Sequence, residues 1–355
     1  MPNYATVIFL ERSPVNRFRL GLLGLVVSAV ALYFMFYQID LGQFVQALSQ
    51  ARYIYLIPTV ALLLAGLVTR AYRWRMLLGS TFPLERAFSI MNVAYLVNGV
   101  LPLRIGEIAR MYLANRVDPP VPPLKTGATI VIERLLDLLA VVVMVGLALM
   151  LGQVPGDLRT AASVATPILI VGFAILVGIA SQRNRAIRLA GAVIQNLRIQ
   201  AVIAQSLLRW FDHFLEGLEG VASPMRFVKA LAWTGLSWGF STAAGYILMF
   251  AFFDQASLSA TLLYIAAAAF AIAVPAVPGS IGPYELAIVA ALGAAGYGEP
   301  AAGARAFAFV VHGVNLLVHA LTGFAGLMRE GLTLTQLSQG VQQLRQPRST
   351  VSETQ

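Results

Sequence analysis

Apolar residues fill long blocks of this chain, and polar residues gather between them. About 20 apolar residues in a helix cross the hydrocarbon core of a bilayer. Blocks suited to that task cover residues 20–37, 54–68, 127–151, 165–180, 228–253 and 304–328. Two more, 86–113 and 258–295, exceed one regular crossing, and each is cut near its middle. The first cut reads Leu101-Pro102-Leu103-Arg104-Ile105-Gly106-Glu107. The second reads Val277-Pro278-Gly279-Ser280-Ile281-Gly282-Pro283-Tyr284-Glu285. Each carries a proline, a glycine four positions on, and then a glutamate. Proline and glycine interrupt a helix at membrane depth only where protein or a water-filled cavity satisfies the freed backbone groups. The pattern predicts an all-α, polytopic integral membrane protein. It has six full spans and two broken helical hairpins, re-entrant or fully crossing.

Charge placement sets the orientation. Arg12, Arg17 and Arg19 precede the first block, and Arg70, Arg73, Arg75 and Arg86 follow the second. Arg183, Arg185, Arg188, Arg198 and Arg209 separate the fourth and fifth, and Arg329, Arg345 and Arg348 follow the last. All four clusters share one face if each hairpin returns to the side it entered from. By the positive-inside rule that face is cytoplasmic, together with both termini. Half 1, about 17–151, and half 2, about 165–330, then have the same order of elements and opposite orientation. This is an inverted-topology repeat, a plan that puts transporter sites at the repeat interface near the midplane.

Residues 1–330 read as a single membrane domain. Within it, 182–225 carries apolar residues at helical spacing among arginines, as an amphipathic insertion on the cytoplasmic membrane surface does. The stretch 331–355, rich in Gln, Ser and Thr, reads as a flexible cytoplasmic tail. Ala29-Val30-Ala31 resembles a signal-peptidase site, but the apolar run continues through Tyr37, so a retained signal anchor is expected.

Composition narrows the partners. The chain is 58% apolar and 12% charged, against roughly 25% charge in soluble domains. Its net charge of +9 comes from arginines set beside apolar blocks, which suits anionic lipid headgroups rather than nucleic acid. Cysteine is absent, which excludes a disulfide framework, a thiolate metal site and a thiol nucleophile.

Candidate chemistry gathers at the cuts. The first offers Asn98, Pro102, Arg104, Gly106, Glu107 and Arg110, and the next block adds Glu133, Arg134 and Asp137. Arg104, Glu107 and Arg110 are spaced by three, which puts them on one face of a helix continuing through the motif. Opposite charges survive at that depth when paired, and a guanidinium is well shaped for forked recognition of phosphate. Two readings stay open: substrate contact, or a structural ion network with Arg104 and Arg110 extending to the interface.

The second cut offers Pro278, Gly279, Gly282 and Glu285, where free N–H groups and a helix start near Pro283 suit an anion. Glu285 is the sole charged residue between Asp254 and Glu299. A carboxylate at that depth marks a functional site by default, and a helix-start carboxylate is the plain alternative. His312, Asn315 and His319 share a face and suit interhelical hydrogen bonding better than a metal site. Tyr72, Trp74, Trp233 and Trp238 read as interfacial belt residues. No nucleophile–base pair, Walker loop or metal-ligand spacing is present, so the chain reads as non-enzymatic, without metal or cofactor.

The segment 98–107, the run Ile132-Glu133-Arg134-Leu135-Leu136-Asp137 and the second cut together resemble a flippase-like family. Its defining member is the transmembrane domain of lysylphosphatidylglycerol synthases, and the resemblance covers about 17–330. In the synthases this domain is fused to a soluble aminoacyltransferase and moves the aminoacylated lipid between leaflets. Some members without that soluble part are linked to polyprenyl-lipid or hopanoid pathways. No such domain follows within these 355 residues, so the resemblance implies translocation rather than aminoacyl transfer.

The expectation is a lipid translocase of the cell membrane that moves a phosphate-bearing lipid or lipid-linked intermediate. Arg104 and Arg110 hold the phosphate, Glu107, Glu133 and Asp137 position them, and Glu285 serves the opposite half. One alternative is an integral membrane transferase using lipid-linked donors, with the Glu107/Glu133/Asp137 group as its base. Another is a non-catalytic membrane partner of a separately encoded glycosyl- or aminoacyltransferase.

Overall fold

The computed structural model describes residues 14–37, 40–79, 81–101, 105–152, 182–196, 223–272 and 278–345, with the single positions 160, 171, 178, 208, 212 and 215. All regular structure among them is helical. α1 (Pro14–Phe36) turns into α2 (Leu41–Gln50) at 85°, with the Asp40 carboxylate accepting the Gly42 N–H at 2.8 Å. A 3-10 turn at Tyr53–Tyr55 leads into α3 (Leu56–Leu78), followed by α4 (Leu84–Val100), α5 (Gly106–Asn115) and α6 (Pro123–Leu151). α7 (Arg183–Asn196) lies in the expected amphipathic insertion. Then come α8 (Pro224–Met249), α9 (Leu258–Ala271), a 3-10 turn at Pro278–Ser280, α10 (Pro283–Ala294), α11 (Ala301–Glu330) and α12 (Leu334–Arg345). The expected span at 165–180 falls outside the described residues but for isolated positions, and so do Pro102 and Arg104.

Three helices, Tyr53–Leu78, Pro123–Leu151 and Ala301–Glu330, are long and apolar enough to cross a membrane, or four with the bent α1–α2 pair. α6 and α11 leave Leu147, Met150, Leu321, Phe324 and Met328 exposed, as a lipid-facing surface requires. Both expected helix–break–helix units are present, as α4–α5 and α9–α10.

Small residues decide how the helices cross. α3 and α8 run antiparallel in the most extensive contact of the bundle, with Gly66 against Phe240 and Ser237, and Leu77 and Ala230 in one buried cluster. On α11, a methyl group at Gly326 would come 2.8 Å from the Ser89 carbonyl oxygen, and one at Gly323 would come 2.6 Å from that of Asn92. Missing Cβ atoms let the backbones approach this closely. α4 starts where α11 ends, joined there by the crossed pairs Arg86–Glu330 and Arg329–Glu85. α9 starts where α6 ends, with Ser259 packed on Gly152.

Two expectations are corrected. α3 continues to Leu78, ten residues past its apolar block, so Arg70 and Arg73 lie within the bundle rather than in a cluster after the span. The chain stays helical because Arg70, Arg73, Trp74 and Leu77 fall on one face that meets protein. The stretch expected as tail contains α12, which packs on α5 through Leu337, 2% exposed. A capping box starts it: the Gln336 N–H donates to Thr333 Oγ1 at 3.2 Å and the Thr333 N–H to Gln336 Oε1 at 2.9 Å.

Gly106 sits under α4, where a methyl group would lie 2.1 Å from the Ala94 carbonyl oxygen and 2.6 Å from Asn98 Oδ1. Gly106→Ala must push the broken unit apart and should lower stability by about 2–3 kcal/mol, as overpacking does. Gly146→Ala on α6, with open space around it, should stay within about 1 kcal/mol of the parent. Unfolding of both variants in detergent micelles checks the pair, and equal midpoints would contradict the close approach.

Candidate functional site

The first break is closed by a side chain. Asn98, near the end of α4, accepts the N–H of Gly106 on its Oδ1 at 2.8 Å, so the first peptide of α5 is not left unpaired in an apolar setting. α5 then lies against α6 and exchanges charges with it. Arg110 Nη1 meets Glu133 Oε2 at 2.6 Å, and Arg134 Nη2 meets Glu107 Oε1 at 3.3 Å.

α3 approaches α6 with Arg73, whose Nη1 lies 2.7 Å from Asp137 Oδ1 and whose Nε lies 3.8 Å from Glu133 Oε1. The same Nη1 donates to Thr234 Oγ1 on α8 at 3.0 Å. Glu133 is thus held between two guanidiniums, and all three side chains are buried. Trp74 lies beneath Arg110, its ring centroid 3.8 Å from the guanidinium carbon, and its indole N–H donates to Thr129. The Trp238 indole N–H joins Arg73 on Asp137 Oδ1 at 3.2 Å. An aromatic face and two carboxylates together make this depth tolerable for two buried arginines.

The cluster is not self-sufficient. Arg110 Nε and Nη2 are buried and make no hydrogen bond among the described residues, while Arg73 Nε and Glu133 Oε1, 3.8 Å apart, fall just short of one. An unmet buried donor is costly, and guanidinium N–H groups pointing in a fixed fork suit an anion.

The second break is closed from the other side. Glu285, 2% exposed, accepts the Gly282 N–H on Oε2 at 2.7 Å, as a capping-box residue. Its Oε1 lies 2.6 Å from His312 Nδ1 on α11, and the Tyr284 ring stacks on His312 at 4.3 Å. His319 packs similarly on Tyr95 of α4 at 4.9 Å. Glu285 is therefore both the helix-start carboxylate and the partner of a buried imidazole. Gly279 and Gly282 have φ of 74° and 99°, the left-handed region that glycine enters freely. A methyl group at Gly282 would meet Ser28 O of α1 at 2.8 Å, and one at Gly279 would stand 3.6 Å from the Gly99 carbonyl oxygen. The two breaks touch.

Of the predicted site residues, Glu107, Arg110, Glu133, Arg134 and Asp137 come together, with Asn98 and Gly106 supporting the break beside them. Pro278, Gly279, Gly282 and Glu285 form the second break, outside the arginine cluster. Pro102 and Arg104 lie outside the described residues. Glu107 and Arg110, expected on one face, instead turn to different partners on α6. Sequence reasoning missed Arg73, Thr234 and the placement of Trp74 and Trp238, which are not belt residues: Trp74 is fully buried. The available signal was the spacing of Arg70, Arg73, Trp74 and Leu77, which marks a buried helix face. A cavity of about 140 Å³ between Phe82 and the proline-rich 119–122 contains none of these residues.

Glu133 balances two arginines, so Glu133→Leu should cost about 3–5 kcal/mol, as removal of one partner of a buried pair does. Adding Arg110→Met to Glu133→Leu removes the Glu133–Arg110 pair and should recover a large part of that loss. Equilibrium unfolding of the singles and the double gives the coupling, and additive effects would show that Glu133 and Arg110 do not interact.

Comparison with known proteins agrees with this architecture. The family described as the Lysylphosphatidylglycerol synthase TM region matches residues 21–323. The chain is 25% identical over 348 residues to Glycosyltransferase AglD of Haloferax volcanii, a match covering 88% of this chain and 54% of that protein. The chain thus spans about half the length of that relative. No solved structure matches. The residues that carried the sequence resemblance all lie inside the matched range, at the two breaks and the ion cluster between α5 and α6. The chain belongs to the family of lysylphosphatidylglycerol synthase transmembrane regions.

Proposed function

We propose that this protein moves a phosphate-bearing lipid, or a lipid-linked intermediate, between the leaflets of the cell membrane. One observation carries the proposal: two helix breaks meet, with unpartnered buried guanidinium N–H groups beside one and an acid–imidazole pair beside the other. Broken helices at a repeat interface are where secondary transporters bind substrate. Arg110 and Arg73 offer donors to the headgroup phosphate, Glu133 and Asp137 hold them in place, and Arg104 adds to the same end of the motif. Glu285 and His312 serve the opposite half, as a carboxylate site for an amine or a proton. The chain needs no cofactor for this and acts without covalent chemistry on the lipid, downhill or coupled to an ion gradient.

Packing among the described helices supports an inverted repeat. Exchanging α3 with α8, α4 with α9, α5 with α10 and α6 with α11 maps the main helix contacts onto one another. α3 meets its counterpart α8, and the α4–α11 and α9–α6 pairs are equivalent, each antiparallel. An apolar bundle with this exchange can present its site to either side by rocking one half on the other.

A second reading is favoured by the relative named as a glycosyltransferase. On it, the domain is the membrane part of a lipid-modifying transferase, or its separately encoded partner. New lipid products, seen by mass spectrometry after incubation with lipid-linked donors, would select that reading.

The main test is lipid movement in proteoliposomes. Arg110→Lys keeps a charge opposite Glu133 and loses the fork, so transport should fall about tenfold or more while the protein still folds. A fully active Lys variant would refute the phosphate role. Orientation is checked separately: reporter fusions after Asp157 and after Arg198 should give opposite readouts. Identical readouts would end the inverted-repeat plan.

A further inference from the structure

Arg70 is the arginine of the α3 face that the ion cluster leaves aside. It is half-buried, and its Nε donates to Ser237 Oγ at 2.9 Å while its Nη2 reaches Ser241 Oγ at 3.5 Å. The Ser241 hydroxyl spends its own proton on the Ser237 carbonyl at 3.1 Å, which leaves its oxygen free to accept. The guanidinium lies over Trp238, 5.6 Å from the ring centroid. That tryptophan's N–H is already committed to Asp137. Nη1 of Arg70 makes no hydrogen bond among the described residues, and no described carboxylate comes within ion-pair distance of it.

Hydroxyls are weak substitutes for a carboxylate. A buried or half-buried arginine ordinarily takes a charged partner, since charge-assisted hydrogen bonds are about twice as strong as neutral ones. The described charges around it show the same deficit. Arg73, Arg110 and Arg134 already share Glu107, Glu133 and Asp137, which leaves Arg70 with no carboxylate of its own among the described residues.

Location gives the deficit a meaning. Arg70 stands on the α3–α8 crossing, the contact between the two halves. Its aromatic support, Trp238, donates to Asp137 of α6, which links it to the ion cluster. We propose that Arg70, framed by Ser237 and Ser241 and resting on Trp238, anchors the phosphate of the transported molecule at the crossing of the two halves. This assignment rests on the translocation reading for its ligand, a phosphate carried on a lipid. In it the phosphate oxygens take Nη1 and Nη2, the serine hydroxyls rotate to donate, and the missing negative charge is supplied by the substrate. Arg73 and Arg110 then receive or release the same phosphate on one side of the crossing.

The test is binding to the full chain in detergent micelles, by isothermal titration. The probes are dioctanoyl phosphatidylglycerol, dioctanoylglycerol with the same chains and no phosphate, and inorganic phosphate. Wild type should bind the phosphatidylglycerol and not the dioctanoylglycerol. Arg70→Gln should weaken binding at least about tenfold, the scale of one lost charge-assisted contact. The double variant Ser237→Ala, Ser241→Ala should weaken it less and keep the unfolding midpoint of wild type. That double variant carries the test if Arg70→Gln does not fold.

Inorganic phosphate bound with the same dependence on Arg70, with no binding of the phosphatidylglycerol, assigns the site to free phosphate and overturns the lipid ligand. Wild-type affinity for phosphatidylglycerol in both variants overturns the role of Arg70 and leaves the translocation reading intact. No binding of either phosphate probe by wild type overturns both.

Discussion

Inside a membrane, a peptide group released from a helix must find its partner within the protein. The two breaks depend on that constraint and meet it in different ways. At the first, Asn98 reaches forward from the end of α4 to the Gly106 N–H. At the second, Glu285 reaches back from the start of α10 to the Gly282 N–H. The difference sets the chemistry of each half. Because Asn98 closes the first break, Glu107 is available to Arg134. Because Glu285 closes the second, its remaining oxygen meets one imidazole and no arginine. Two motifs of similar sequence thus yield a cationic cluster on one side and a single acid–imidazole pair on the other.

The cationic cluster ties together four helices that also meet through buried apolar side chains. Arg73 belongs to α3, Arg110 to α5, Glu133 and Asp137 to α6, and Thr234 and Trp238 to α8. Apolar residues of similar volume often stabilise such positions as well as a buried ion pair does. Arg110 Nε and Nη2, buried without a hydrogen bond among the described residues, are therefore poorly explained by stability alone. On the proposed reading they are capacity held for a ligand, an arrangement seen where stability is traded for function.

Much of this was legible in the chain. Long apolar blocks located α6, α8 and α11 to within a few residues, and Pro102, Gly106, Pro278 and Gly282 marked the breaks, because proline and glycine act locally. Glu133 and Asp137 were legible as paired charges, because a charge inside an apolar block needs an opposite partner. Partnerships between helices were not. Nothing local tells Glu285 that His312, 27 positions away, will meet it, or Trp74 that it will lie under Arg110. Arg70 and Arg73 misled because arginines after an apolar run usually mark the interface, and only tertiary contact shows that α3 carries them inward. α12 was obscured by its Gln and Ser content, which hides a short apolar stripe from any average over composition.

The touch between Gly99 and Gly279 has a consequence for the membrane's insulation. The Leu316 side chain of α11 packs beside both positions, so the meeting of the two breaks is also a contact with that helix. A pathway for a large amphiphile would otherwise be a conduit for protons and salts. If the domain translocates lipid as proposed, the packing of the two breaks on each other and on Leu316 is where such a leak would have to be stopped.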